Sequence, residues 1–246
     1  AVQAAKNSFI SRVLVDMPLL ERAKLMHNIA DETRKVANEG GKILCYENGK
    51  LLSAGIKEFN DVADMFDYYA GLTDKLEGKT IPVSSNVFDY TVLEPFGVSA
   101  HIIPWNYPLS LMGWKLAPAL AAGNTIIMKP SEVTSISLLH WAEVVRDIMP
   151  PGVLNVVTGY GAEAGEEIVK HPSIPIITFT GSVKTGKRIA MHAAENLKKV
   201  SLELGGKDPV IICDDADIDV AAKGTSWGGF VNSGQVCTSI ERVYVY

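Results

Sequence analysis

A chain of 246 residues with 47% hydrophobic content has enough apolar mass for one large domain or two smaller ones. A net charge of −5, with no long basic run, excludes nucleic acid and anionic membrane as main partners, and no apolar run is long enough to span a bilayer. Three cysteines, an odd number, point to a reducing compartment such as the cytoplasm and away from a disulfide framework.

The first third reads as helical scaffold. Asp16 and Pro18 open a helix along which Leu20, Ala23, Met26, Ile29, Ala30 and Thr33 recur at helical spacing. A second helix runs from Glu39 towards Asn48-Gly49, a C-terminal cap pair. A third places Phe59, Val62, Ala63, Phe66, Tyr69 and Ala70 on one face and ends at Gly71. His27 and Cys45 belong to these helices without a chemical role. Residues 81–94 then change texture: Phe88, Tyr90 and Val92 alternate with Asp89 and Thr91, giving a strand with one apolar face. Such a strand suits packing on another subunit, and equally an ordinary edge hairpin.

From Gly97 onward, short apolar runs alternate with amphipathic helices. Strands are expected at 98–103, 125–129, 153–157, 176–180, 200–204 and 210–213. Helices are expected at 109–122, 135–148, after Gly161, from Gly181-Ser182 through Ala194, and at 218–232. Repeated strand–helix units with wholly apolar strands imply an α/β protein with a doubly wound parallel sheet. The chain stops on Arg242-Val243-Tyr244-Val245-Tyr246, a strand with nothing after it, and reads as a piece of something longer.

Ligands of such sheets bind beyond the carboxyl ends of the strands, so the strand-to-helix turns carry the functional signals. The turn Gly159-Tyr160-Gly161-Ala162-Glu163-Ala164-Gly165 is one residue longer than the usual dinucleotide fingerprint. Gly181-Ser182-Val183-Lys184-Thr185-Gly186-Lys187 would open a helix with bare N–H groups and a serine hydroxyl turned to a phosphate. It nearly spells a P-loop, but Arg188 stands where a magnesium-binding Ser or Thr is needed. Lys129-Pro130-Ser131-Glu132 offers a lysine for ribose or phosphate and a carboxylate for ribose hydroxyls; it could also simply start a helix, with Ser131 as its cap.

Three further groups carry chemistry. Pro104-Trp105-Asn106-Tyr107-Pro108 presents the uncharged N–H₂ donor of Asn106 on a proline-fixed loop, which suits an oxyanion hole or a self-bonded turn. Leu202-Glu203-Leu204-Gly205-Gly206-Lys207 sets a carboxylate within an apolar strand end, where burial would raise its pKa towards that of a general base; a strand-end glutamate bonded to a backbone amide is the alternative. Gly234-Gln235-Val236-Cys237-Thr238-Ser239 surrounds a cysteine with small polar residues that leave room for a substrate carbonyl, although a lone cysteine is commonly structural.

In series, Pro-Trp-Asn-Tyr-Pro, Lys-Pro-Ser-Glu, Phe179-Thr180-Gly181-Ser182, Glu203-Leu204-Gly205-Gly206-Lys207 and Gly234-Gln235-Val236-Cys237 resemble the NAD(P)-dependent aldehyde dehydrogenase superfamily over nearly the whole chain. The resemblance implies a Rossmann-like cofactor domain over residues 1–204, including the N-terminal helices, and the start of a catalytic domain at 205–246. It implies that Cys237 attacks an aldehyde, that Asn106 and the Cys237 N–H hold the oxyanion, and that Glu203 activates the water releasing a carboxylic acid. Lys129 and Glu132 would bind the adenosine ribose, with NAD expected and NADP as the alternative. Ser182 would touch the pyrophosphate beside the turn from Gly181 to Gly186. Ile103, Pro104, Trp105, Ser131, Gly161, Gly165, Phe179, Thr180 and Leu204 complete the expected cofactor cleft, and no metal is implied. The resemblance also makes residues 81–94 an oligomerisation ribbon of a homodimer or homotetramer. Glu94-Pro95-Phe96-Gly97 looks like the family's nicotinamide-ribose motif, but Val98 replaces its proline and it lies upstream of Pro-Trp-Asn, so it does not count. An acylating, coenzyme A-dependent relative and a non-catalytic nucleotide-binding scaffold are the competing readings; Glu203 weighs against the first. Made alone, the chain is expected not to turn over aldehyde.

Overall fold

The structure is a computed structural model describing residues 1–246. Five parallel strands form its centre in the order β5-β4-β3-β6-β7. They are β3 (Val98–Ile102), β4 (Thr125–Lys129), β5 (Leu154–Val156), β6 (Ile176–Gly181) and β7 (Lys199–Leu204). The chain winds outward from β3 through β4 to β5, then returns to place β6 on the other side of β3. That reversal makes β3 and β6 the topological switch point.

Alternation along the strands divides the core in two. On one face Ile126 and Met128 meet a layer built from α2 (Leu19–Lys35), α3 (Ala37–Asn48), α4 (Leu52–Ala70), α5 (Pro108–Ala121) and α6 (Ile136–Val144). Phe59, Phe66 and Trp141 fill it: the Phe66 and Trp141 rings stack at 5.8 Å, and the buried indole N–H donates to Thr33 Oγ1 at 2.9 Å. On the other face Val98, Ala100, Ile127 and Ile177 meet α1 (Val2–Ile10), α7 (Glu166–Lys170) and α8 (Val183–Glu195). A helix before Asp16 was not expected; α1 lies on the strands through the small residues Ala5 and Ser8, and its apolar stripe is too short to stand out in sequence.

Several expected boundaries shift. The helix expected at 135–148 closes at Val144, and its start is held by a distant residue: Glu47 of α3 accepts the N–H groups of Ile136 at 2.9 Å and Ser137 at 3.1 Å. Ser131 therefore caps a turn and not α6. The turn from Gly161 to Gly165 closes as one π-helical turn, with Gly165 N–H reaching Tyr160 C=O at 3.3 Å, and the helix after it lasts only five residues. Residues 80–90 form an antiparallel hairpin of β1 (Thr80–Ser84) and β2 (Val87–Tyr90), exposed along its whole length. Beyond β7, β8 (Asp208–Ile212) and β9 (Ile240–Val245) pair in parallel as a separate sheet, with α9 (Ile218–Phe230) between them in the chain. No residue of α9 is buried. No helix is long and apolar enough to cross a membrane.

Candidate active site

A cleft of about 540 Å³ opens outside the carboxyl ends of β3, β4, β6 and β7, at the switch point. Ile103, Pro104, Trp105 and Asn106 enter it from the end of β3, and Lys129, Ser131 and Glu132 from the end of β4. Gly161 and Gly165 line it from the π-helical turn. Phe179, Thr180, Gly181 and Ser182 line it from β6, and Leu204 from β7. Cys237 reaches the same cleft from a loop more than 30 residues further along the chain. Gly186 does not line it. A Cβ there would stand 2.6 Å from Leu204 Cδ2, so this glycine lets α8 approach β7.

The loop carrying Cys237 is set by backbone that side chains usually avoid. After α9, Asn232 (φ 54), Ser233 (φ 59) and Gly234 (φ 77) are all left-handed, two of them without the freedom of glycine. The side chain of Asn232 offsets that cost by donating to Asn106 C=O at 3.0 Å and Gln235 C=O at 3.2 Å. This run also ends α9 at Phe230, two residues before the expected end. From the opposite side, Asn106 Nδ2 donates to Gln235 C=O at 3.0 Å. One of its two amide hydrogens is thus used on the cysteine loop, and the other is left for a ligand in the cleft. Cys237 is exposed.

At the other end of the cleft, the Lys129 ammonium is buried, donates to Pro130 C=O at 2.9 Å and lies 3.8 Å from Glu132. Burial lowers its pKa from the ordinary lysine value, opposed by Glu132. With only one acceptor in contact, two of its donors remain for a ligand. Ser182 is the N-cap of α8, its Oγ accepting Thr185 N–H at 3.2 Å, and the first turn of that 13-residue helix faces the cleft. A cation and a carboxylate for ribose hydroxyls, next to a long helix's N-terminus for phosphate, fit a dinucleotide. By contrast, no cluster of His, Cys, Asp and Glu is placed to hold a metal ion.

Glu203 departs from expectation. It is exposed, not buried, and does not line the cleft. The reason lies in the layer above it. β7 is the edge strand, α8 covers only the face bearing Leu202 and Leu204, and the opposite face with Ser201 and Glu203 stays bare. Sequence reasoning missed a neighbour, Lys115 of α5, whose Nζ donates to Thr180 Oγ1 at 2.7 Å. Burial pushes its pKa down to about 8, against the opposing charge of Glu203. Thr180 pairs with Glu203 across β6 and β7, so Lys115, Thr180 and Glu203 form one polar group beside the cleft. No local pattern marked Lys115, which sits in an otherwise apolar helix.

Fold and cleft together define an α/β protein with a ligand site at the switch point of a doubly wound sheet and a cysteine at its rim. The aldehyde dehydrogenase family profile matches residues 1–246, and the chain belongs to that family. It is 42% identical over its whole length to an aldehyde dehydrogenase-like protein of Schizosaccharomyces pombe, covering 49% of that protein. The NAD⁺ complex of a Bacillus cereus aldehyde dehydrogenase superposes on all of the chain with a TM-score of 0.97 at 42% identity, over 50% of its own length. A Staphylococcus aureus betaine aldehyde dehydrogenase, solved with NAD⁺ and a BME-modified cysteine, covers 99% of the chain with a TM-score of 0.96 at 36% identity. The chain spans about half the length of these relatives.

Proposed function

We propose that this chain is the cofactor-binding and nucleophile-bearing part of an NAD-dependent enzyme that oxidises an aldehyde to a carboxylic acid. The observation that carries the reading is that Cys237 and Asn106 share one cleft with Lys129, Glu132 and the N-terminus of α8. Lys129 and Glu132 hold the adenosine ribose, where the carboxylate disfavours a 2′-phosphate, and Ser182 with the first turn of α8 receives the pyrophosphate. Bound there, NAD supplies a hydride acceptor. That relatives about twice this length are solved with NAD⁺, one of them with a modified cysteine, supports both assignments.

The chain's own groups perform the remaining steps. The Cys237 thiolate adds to the aldehyde carbon, forming a C–S bond, while the carbonyl electrons move onto oxygen. The free amide hydrogen of Asn106 and the Cys237 N–H donate to that oxyanion. Loss of hydride from the same carbon leaves a thioester on Cys237. Glu203 then takes a proton from water, whose oxygen attacks the thioester. The C–S bond breaks, the acid leaves and the thiolate is restored. Glu203 stands outside the cleft, paired across β6 and β7 with its wall residue Thr180, so this role requires its side chain to turn over the strand end towards the thioester. Residues 205–246 begin the catalytic unit, and the exposed β1–β2 hairpin offers a surface for self-association in a homo-oligomer.

The test uses the natural gene product carrying these residues. Glu203→Gln should keep a rapid burst of NADH and slow the steady state, while Cys237→Ser should abolish both. A burst that survives in Cys237→Ser would overturn the assignment of the nucleophile.

A further inference from the structure

The corner between α3 and α4 was expected to be scaffold, with Asn48-Gly49 serving only as a cap. It does cap α3, with Gly49 at φ 79. Yet Asn48, Gly49 and Lys50 also reach two loops at the cysteine end of the cleft, the one carrying Asn106 and the one carrying Cys237. Asn48 Nδ2 donates to Trp105 C=O at 2.7 Å, and Asn48 C=O accepts Gln235 Nε2 at 3.3 Å. Gly49 C=O accepts Ser233 Oγ at 3.1 Å. Next to them lies a wholly buried ion pair between Lys50 and Glu58, with side chains 0% and 2% exposed.

Each further contact of this pair goes to the Asn106 loop or the helix after it. Lys50 Nζ donates to Asn106 C=O at 3.0 Å and stands 4.4 Å from the centre of the Tyr107 ring. Glu58 accepts Ser110 N–H at 2.9 Å, in the first turn of α5. A single ion pair therefore fixes the stretch from Asn106 to Ser110 at both of its ends. A buried ion pair is a poor device for stability alone, since apolar residues of the same volume serve as well or better. An apolar residue at position 50 could fill the space but could not hold a carbonyl oxygen.

We infer that Lys50 and Glu58 are positioning residues for the oxyanion donor: the pair fixes the Asn106 carbonyl and the start of α5 so that the Asn106 side-chain amide faces the Cys237 loop. The inference rests on the proposed role of Asn106 and deepens it. Burial pushes the Lys50 pKa down and that of Glu58 up, each opposed by its partner, so the charged pair persists only because the two groups face each other.

The test uses the chain itself and two reagents for the Cys237 thiol. With p-nitrophenyl acetate, the thiolate attacks the ester carbon, a tetrahedral oxyanion forms, the C–O bond breaks and nitrophenolate leaves a thioester on Cys237. With iodoacetamide, the thiolate displaces iodide and no oxyanion arises. Signal from other cysteines is removed by comparison with Cys237→Ser. Lys50→Met alone would strand a buried carboxylate, so the informative variant is Lys50→Met/Glu58→Gln, which removes both charges and keeps an acceptor for Ser110 N–H. Acylation should slow by roughly a hundredfold, as in Asn106→Ala, while alkylation and the melting temperature stay close to wild type. Adding Asn106→Ala to the pair variant should cause no further loss. Wild-type acylation in the pair variant, a loss that multiplies with that of Asn106→Ala, or an equal slowing of alkylation would overturn the inference. Wild-type acylation in Asn106→Ala would instead remove the oxyanion assignment, and the inference with it.

Discussion

His101 shows how a single side chain is governed by what surrounds it. It points from β3 into the helical layer, with Nδ1 2.8 Å from Thr178 Oγ1 and Nε2 2.9 Å from Ser99 Oγ. Burial, followed by the charge of Lys115, pushes its pKa from 6.5 down to about 3. Between those values the unfolded chain binds the proton and the folded chain does not. The contribution of His101 to stability is therefore complete above pH 6.5 and falls by about 1.4 kcal/mol per pH unit between 6.5 and about 3. His101→Gln keeps hydrogen-bonding groups but cannot titrate. Urea midpoints measured from pH 7 to pH 4 should fall more steeply in wild type than in the variant; parallel curves would contradict this placement of His101. Cys237, Asn106 and Lys129 were legible in sequence because each stands in a distinctive local string. His101, Lys50, Glu58 and Lys115 were not, because their partners lie far away in the chain: Thr178 is 77 residues from His101, and Asn106 is 56 from Lys50. Local spacing carries no record of such a meeting.

Helices and strands were legible where periodicity was long. The strands β3, β4 and β6 and the helices α2 to α5 and α8 fall close to their expected places. What escaped was set by tertiary contact: the short α1, the early end of α6 whose start Glu47 holds, and the left-handed run that ends α9. The glycine-rich turns also separated. The first leads to a five-residue helix, whereas the second starts α8, whose N-cap and 13-residue length suit an anion. Within α8, Gly186 is the position of closest approach to the sheet, against Leu204. Gly186→Ala should turn the end of the Leu204 side chain aside, and the strain of doing so should cancel most of the roughly 1 kcal/mol that alanine's better helix propensity offers. Because Leu204 and Ser182 both line the cleft, calorimetric NAD affinity should fall as well. A variant that gains the full propensity difference and binds NAD as wild type does would show that Leu204 is not displaced.

At the scale of the molecule, the parallel sheet followed from apolar strands alternating with amphipathic helices, and the cleft lies beyond the carboxyl ends of its strands, as that architecture requires; the strand order that makes the switch point was not legible. The exposure of Glu203 could not be read in the same way, since burial belongs to the neighbours of a strand and β7 has a helix on one face only. The same holds for α9 and β8–β9, whose Ile211, Trp227, Phe230 and Val243 are apolar yet exposed. The central claim is that one cleft holds both the dinucleotide and the reacting thiol. It is tested most directly by following iodoacetamide labelling of Cys45, Cys213 and Cys237 by peptide mass spectrometry, with and without NAD. Cys213 is exposed but lies away from the cleft, and serves as the internal control. NAD should slow labelling of Cys237 and leave Cys213 unchanged; unaltered labelling of Cys237, or equal slowing at Cys213, would contradict the account.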